Sequence, residues 1–470
     1  MNYMRSLSGR GGAASSVAMP EGLLSWGEIR ERAEAAGFDS KRDVTRGPVN
    51  THTHTRLFGD EPAEVVLYRD NHYWCPYCEK VQLFLEAKRI PYTMKLVTMF
   101  CYGKKETWYK QLVPSGMLPA LSLTPTGPIV TESDDIMHTL EARFGPLTPG
   151  GGMGAAPVVA HRRLERRLFR AWCEWLCYPS SSAGGEARSE AAFKAVAEEV
   201  EALLAATGGP FMLGPSLSVA DCVYVPYLER MNASLFYYKG YRLREQHPRL
   251  HAWFAALESC DEYRGMASDF HTHAHDLPPQ MGGCYSSGTP RAKAAAALVD
   301  QGPFSAAAAA AAGGAGLAGL QVDLDAWPEP LDACAEAAWR LAKHAPTLAG
   351  INPYGAGPTD AALRAASTLL LTGSLPAVVP AGCAGPTGPA SAGAANGAAV
   401  ALAARYVRDR LSCPRDMPLH SAGRLRDALE AAARAFEATW QEAGQAAGDA
   451  RPEPVALKNR FDANPEPFRP

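Results

Sequence analysis

The stretch from Val65 to Cys78, Val-Val-Leu-Tyr-Arg-Asp-Asn-His-Tyr-Trp-Cys-Pro-Tyr-Cys, constrains this chain more than any other. Val65 to Tyr68 is β-branched and aromatic, the composition of a buried strand. A short turn follows, and then a helical pattern running through Lys88, with Tyr77, Val81, Phe84 and Leu85 at helical spacing. Cys75 falls at the N-cap and Pro76 at the first helical position, where a missing N–H costs nothing. A thiol placed there faces unpaired backbone N–H groups and the positive end of the helix dipole. Its pKa is therefore expected below that of a free thiol. Cys78, nearly one turn further in, is expected to be the more buried thiol and close enough to resolve a mixed disulfide on Cys75.

With 11 cysteines in 470 residues, chance supplies roughly 0.26 pairs at this spacing, so the strand, the proline and the amphipathic helix carry the specificity. A structural zinc half-site would need a second ligand pair. No other Cys-x-x-Cys exists, so the pair reads as redox-active and no metal ligand set is assigned. The cysteines are scattered and odd in number, unlike a secreted disulfide framework, and imply a reducing compartment. The formal net charge of -3 offers no basic field for nucleic acid or an anionic membrane surface. No run is apolar enough to span a bilayer, so a soluble protein is expected.

Residues 61–147 read as one α/β unit of order β-α-β-α-β-β-α. Strands are expected at Val65–Tyr68, Pro91–Met99, Met117–Thr124 and Ile129–Glu132, and helices after Cys75, over Lys104–Leu112 and over Ser133–Phe144. Pro119 opens the third strand, the place for an edge or a cis turn beside a ligand. Ser133 is expected to be an N-cap whose helix N-terminus can accept a carboxylate, with Glu132 beside it available to an ammonium group.

Residues 148–270 read as all-helical. One helix carries Leu164, Leu168, Trp172 and Trp175 on one face and Arg162, Arg163, Arg166, Arg167 and Arg170 mainly on the other, read as a solvated face. Cys173 and Cys177 on it read as packing residues. Ser218 and Asp221 form a capping box, and the aromatic run from Met231 to Tyr241 reads as core. His52 and His54 lie in a polar stretch. His271, His273 and His275 alternate before Pro278-Pro279, which argues for an extended loop rather than a metal site. Beyond lie a 271–328 linker with Ala/Gly low complexity, a second helical region over 329–450, and an extended tail over 451–470. At the other end, 1–20 reads as a disordered or targeting tail and 21–60 as an N-terminal extension with a helix over 24–37.

Taken together, residues 61–270 resemble the cytosolic glutathione transferase superfamily, nearest its cysteine-type omega-like branch, with a glutaredoxin-like Cys-Pro-Tyr-Cys motif. The resemblance implies an α/β thioredoxin-like domain (61–147) followed by an all-α domain (148–270). It implies that Cys75 forms the mixed disulfide with glutathione as co-substrate. Leu118 and a cis Pro119 would bind its cysteinyl part, Glu132 and Ser133 its γ-glutamyl end, and Lys105 would lie near its glycyl carboxylate. Cys78 departs from many omega-like members and adds a dithiol option. The expected function is glutathione-dependent thiol transfer or reduction of a small disulfide or electrophilic substrate, in the cytoplasm or, if 1–20 targets, in a chloroplast or other organelle. Homodimerisation is left open. The alternative is a glutathione-fold binding or interaction module, motivated by 200 residues that carry no visible chemistry.

Overall fold

The computed structural model describes residues 22–39, 55–179, 182–313, 317, 320, 329–376 and 390–444. They divide into two units. The larger holds the described parts of Asp39–Pro330 and Leu411–Gly423; the smaller holds those of Met1–Phe38, Leu331–Arg410 and Arg424–Ala456. The tail expected over 1–20, His52, His54 and the tail expected over 451–470 lie outside the described residues. The first helix, α1 (Trp26–Ala35), belongs to the smaller unit.

The larger unit opens with a five-stranded sheet in the order β1-β3-β2-β4-β5. Its strands are β1 (Thr55–Arg56), β2 (Val65–Asp70), β3 (Tyr92–Val97), β4 (Ala120–Ser122) and β5 (Val130–Thr131). Three helices intervene or follow: α2 (Pro76–Ala87), α3 (Thr107–Leu112) and α4 (Ser133–Phe144). β2 and β3 run parallel, Val65 opposite Tyr92 through Asp70 opposite Val97. A parallel pair needs a crossover, which α2 supplies. The other pairs are antiparallel. This is the expected thioredoxin-like order with one strand added in front. Thr55-Arg56 carries no apolar alternation to announce a strand, yet it pairs with β3, so the sheet begins before residue 61.

α2 is buried from Cys78 to Glu86, polar side chains included. Each of those polar side chains has a partner. Arg230 donates to Glu79 at 2.9 Å, and Lys80 pairs with Asp134. Gln82 accepts from Arg69 and donates to the Tyr92 hydroxyl, and Glu86 accepts from Arg56 and from Tyr92 at 2.7 Å. Buried polar groups persist when they are hydrogen-bonded, and here each polar side chain on the covered face of an amphipathic helix has at least one partner.

The helices that follow are α5 (Ala156–Leu176), α6 (Ala183–Thr207), α7 (Val219–Ser234), a π-helical turn (Leu235–Lys239), α8 (Leu243–Gln246), α9 (Pro248–Glu258), α10 (Asp261–Arg264), α11 (Phe270–Met281), α12 (Pro290–Gln301) and α13 (Ala306–Ala311). Leu164, Leu168, Trp172 and Trp175 are core, as their spacing predicts. The Ser218–Asp221 box forms, and its carboxylate does more than cap. Besides Ser218, it accepts from the Met212 N–H at 2.9 Å and the Trp253 indole at 2.8 Å. Met231, Leu235 and Phe236 are core.

α11, α12 and α13 correct the linker expected over 271–328. Pro278 and Pro279 lie inside α11 rather than ending it before it starts. Pro278 cannot donate to the carbonyl of Ala274; the Tyr238 hydroxyl does so instead, at 2.9 Å. Asp269 caps the helix start by accepting from the Thr272 N–H at 2.7 Å. The poly-alanine run is helical over Ala306–Ala311, capped by Ser305.

The smaller unit packs α1 against α14 (Ala333–Ile351) and α15 (Ala356–Thr372), with α16 (Ala390–Arg410) beside α15; α17 (Leu419–Gly444) closes the described chain. Ser25 and Glu28 make the capping box of α1. Ile29 and Ala33 are fully buried, and Phe38 meets the Trp339 ring at 5.4 Å. Arg364 donates to the Leu24 carbonyl at 2.7 Å, and the Trp26 indole donates to Asp360 at 2.7 Å. Residues 24–37 are thus not a free extension but part of a C-terminal bundle. The 329–450 region is not one piece either: residues 411–423 belong to the larger unit, where the Cys413 N–H donates to Thr272 at 3.1 Å and Ser268 donates to the Cys413 carbonyl. No helix among the described residues is long and apolar enough to cross a membrane.

Candidate active site

Cys75 is the N-cap residue of α2, with Pro76 at the first helical position. Its backbone carbonyl takes the N–H of Glu79 at 3.0 Å and starts the helix. The thiol accepts no capping hydrogen bond from the first turn; its partner is the thiol of Cys78. Cys75 is 3 % exposed and Cys78 fully buried. Burial pushes the Cys78 thiol well above its usual range. The hydrogen bond to Cys75 and the charges of Cys75 and Asp70 add to that, and Arg69 only partly opposes it.

Three cations surround the pair. Arg69 and Lys105 are in electrostatic reach of both sulfurs, and Arg230 of Cys75. Arg230 also donates to the Trp74 carbonyl at 2.7 Å and lies 4.2 Å over the Trp74 ring. Lys105 is half-buried, which lowers its pKa against the pull of the thiols. Its Nζ donates to the Thr98 carbonyl at 3.0 Å, and its stem lies against Gly116. A Cβ at Gly116 would come within 3.2 Å of that stem, and its φ of +68° favours glycine. Asp70, Cys75 and Cys78 bring their ligand atoms within 4.8 Å of one another. Asp70 is already committed: one oxygen accepts from Arg69 and the other from the Trp74 N–H at 2.6 Å.

Leu118, Pro119, Glu132 and Ser133 meet in one cleft of about 800 Å³, whose walls include Tyr77 and Lys80 of α2. Cys75, Cys78 and Lys105 are not among those walls; the two groups of residues adjoin along the first turn of α2. The Leu118–Pro119 bond is cis, as expected. Ser133 is not the N-cap. Glu132 is, with a φ of +62° that turns the chain sharply out of β5, and Ser133 is the buried first residue of α4. Such a φ is strained for a residue with a side chain, and it leaves Glu132 exposed at the cleft edge.

The opposite wall is what sequence reasoning missed. Arg162, Arg163, Arg166 and Arg167 of α5 line the cleft rather than a plain solvated face. Arg162 and Lys80 both pair with Asp134; burial alone would raise that carboxyl, but the two cations hold it below its usual range. Glu165, a buried residue of α5 itself, is pushed above its usual range by that burial despite pairing with Arg166. The four-residue recurrence of arginine was visible; the facing Asp134 of α4 was not.

Behind Trp74, Arg230 donates to Glu79 at 2.9 Å and Glu229 at 2.7 Å, all three buried, and Tyr263 donates to Glu229 at 2.8 Å. Glu229 lies well above its usual carboxyl range because of burial and the nearby Glu79. Cys173 and Cys177, expected to be packing residues, are joined by a third thiol that the sequence did not associate with them. Cys177 ends α5 and takes hydrogen bonds from Cys173, one turn back, and from Cys284, after α11. Those bonds hold its thiol down at about 4 against burial. The Tyr285 N–H donates to the Leu176 carbonyl at 2.9 Å and keeps the two segments together.

Residues 74–143 match the model of the glutathione S-transferase N-terminal domain, and residues 184–256 that of the C-terminal domain. Glutathione S-transferase L3 of Arabidopsis thaliana is 30% identical over 195 residues, which cover 41% of this chain and 77% of that protein. The chain belongs to the glutathione S-transferase family. A rice member, the probable glutathione S-transferase DHAR1, cytosolic, is 26% identical over 189 residues, covering 40% of this chain and 82% of its own. Among solved structures, the trimeric glutathione transferase TDR1 of Leishmania is 24% identical with a TM-score of 0.41, over 49% of this chain and 51% of its own. As a family member this transferase is long, and both matched domains lie in its larger unit.

Proposed function

We propose that this transferase carries out glutathione-dependent thiol transfer through a mixed disulfide on Cys75. The observation that carries the reading is the setting of Cys75: N-cap position on α2, Cys78 as hydrogen-bond donor, and Arg69, Lys105 and Arg230 around the sulfur. The attacking species in such chemistry is the anionic sulfur. Attack on a glutathionyl disulfide forms the Cys75–glutathione bond and releases the substrate thiolate. A second glutathione thiolate then attacks that bond, freeing Cys75 and leaving oxidised glutathione. Cys78, held protonated by burial, donates to Cys75 and is a poor resolving nucleophile, so the one-thiol route is favoured over the two-thiol route.

In this reading the cleft holds the tripeptide. Leu118 and Pro119 offer backbone to its cysteinyl part, Glu132 and Ser133 face its γ-glutamyl end, and Lys105 reaches its glycyl carboxylate. Intact mass after incubation with oxidised glutathione tests the proposal. One adduct on the wild type and none on Cys75→Ser are expected, with reductase activity lost in that variant and retained in Cys78→Ser. Retention on immobilised glutathione with no turnover would instead make the protein a binding module.

A further inference from the structure

Three potential metal ligands gather on α11 and α12, outside both matched domains. His271 and His275 are four residues apart, which on a helix places them on one face. Their rings lie 4.7 Å apart between centroids. Asp300 of α12 faces them, its Oδ1 2.7 Å from His275 Nε2. One ligand atom from each of the three lies within 4.8 Å of the others. His273, which alternation would have aligned with them on a strand, points away and lies 3.6 Å from Glu229.

We propose that His271, His275 and Asp300 form a binding site for a divalent transition-metal ion, with zinc the ion this donor set suits. Two imidazoles and one carboxylate match the three-ligand sets that hold zinc with a water in the remaining position. The surroundings fix each ligand. The Tyr237 hydroxyl donates to Asp300 Oδ2 at 2.8 Å, which leaves Oδ1 turned to the histidines. The edge of Tyr237 meets the His275 ring at 5.3 Å, and Phe304 meets the His271 ring at 5.8 Å. Outer partners of this kind orient ligands in metal sites. His271 is buried, while His275 and Asp300 are half-buried, so the third ligand backs a site that solvent reaches. The His275–Asp300 hydrogen bond already ties α11 to α12, and the His271 ring stands within ligand reach of both.

The test is equilibrium dialysis of the full chain against Zn²⁺ alone. It is run in a Cys75→Ser/Cys78→Ser background, which removes the other three-donor group among the described residues. One bound zinc per chain is expected. It should be lost in His271→Gln and in Asp300→Asn, and bound about tenfold more weakly in Tyr237→Phe. Asn at 300 keeps an acceptor for Tyr237 and a polar partner for His275, so that variant is expected to fold, as circular dichroism will show. Co²⁺ in the same background should give visible absorption without a thiolate charge-transfer band. No bound zinc, an unchanged stoichiometry in Asp300→Asn, or a thiolate band that survives there would overturn the site.

Discussion

Arg230→Met removes a guanidinium that is 2 % exposed from between two buried carboxylates. Removing one partner of a buried ion pair costs about 3–5 kcal/mol. The Trp74 carbonyl also loses its donor, about 1 kcal/mol more. Methionine refills most of the space and offsets part of this, which leaves a loss of roughly 3–4 kcal/mol at pH 8. The loss must depend on pH. Glu229 in the folded protein already lies above its ordinary value through burial and Glu79. Without Arg230, the charge that opposes this rise is gone and Glu229 is driven further up. A group whose pKa is raised on folding contributes stability at low pH and loses it as pH rises through the folded value. The deficit of the variant is therefore largest in base and shrinks in acid, to about 1–2 kcal/mol near pH 5.5. Urea unfolding of wild type and variant at pH 5.5, 6.5 and 8, followed by tryptophan fluorescence, measures it. A loss under about 1 kcal/mol at pH 8, or one that grows toward acid, would refute the account of these acids.

Three other outcomes follow from the same geometry. Asp221→Ala leaves the Met212 N–H and the Trp253 indole without their acceptor, and should cost about 3 kcal/mol or more by denaturant unfolding; a loss near 1 kcal/mol would reduce the residue to a helix cap. His72 is held neutral, its pKa pushed down to about 3 by burial and then by Arg415. Its contribution is complete above the ordinary histidine value and fades as pH falls toward 3, so His72→Gln should flatten the acid limb of the stability curve, and an unchanged slope would count against it. Cys177 lies below the usual thiol range because Cys173 and Cys284 donate to it. Limited iodoacetamide at pH 6, read by peptide mass spectrometry, should label it ahead of both neighbours; Cys173 labelled first would contradict that arrangement.

How much of this was legible in the residues varies from element to element. The strand, turn and capped helix around Cys75 were, because local pattern decides them: β-branching, a proline at the first helical position, and apolar residues one turn apart. The same pattern could not show that α2 is covered on its polar side, since its partners Asp134, Arg69, Arg56 and Arg230 lie up to 151 residues away in sequence. α11 was misread for a related reason. Two prolines forfeit two backbone donors, and only the distant Tyr238 hydroxyl makes up for one of them. The site residues Leu118, Pro119, Glu132 and Ser133 came from a motif order and do share a cleft. The arginines across from them looked like a solvated stripe, because nothing in α5 announces a facing acid. Glu132 shows the limit most plainly: the residue is legible as a candidate ligand, but its positive φ, which by propensity belongs to glycine, is not.

The pairing of α1 with α14 and α15 also sets a schedule for the chain's birth. Its apolar ridge, Leu24, Ile29, Ala33 and Phe38, emerges about 300 residues ahead of the helix it packs on, a wait of roughly 15–60 s at ordinary translation rates. The sheet and helices between α1 and α14 thus emerge, and can begin to pack, while α1 still waits for its partners. Cutting the chain near residue 270 therefore does more than shed a tail. It strands α1 in water for good, and it also strips the Cys413 bonds from Ser268 and Thr272. An activity lost on such a cut would report a broken scaffold, not a missing partner.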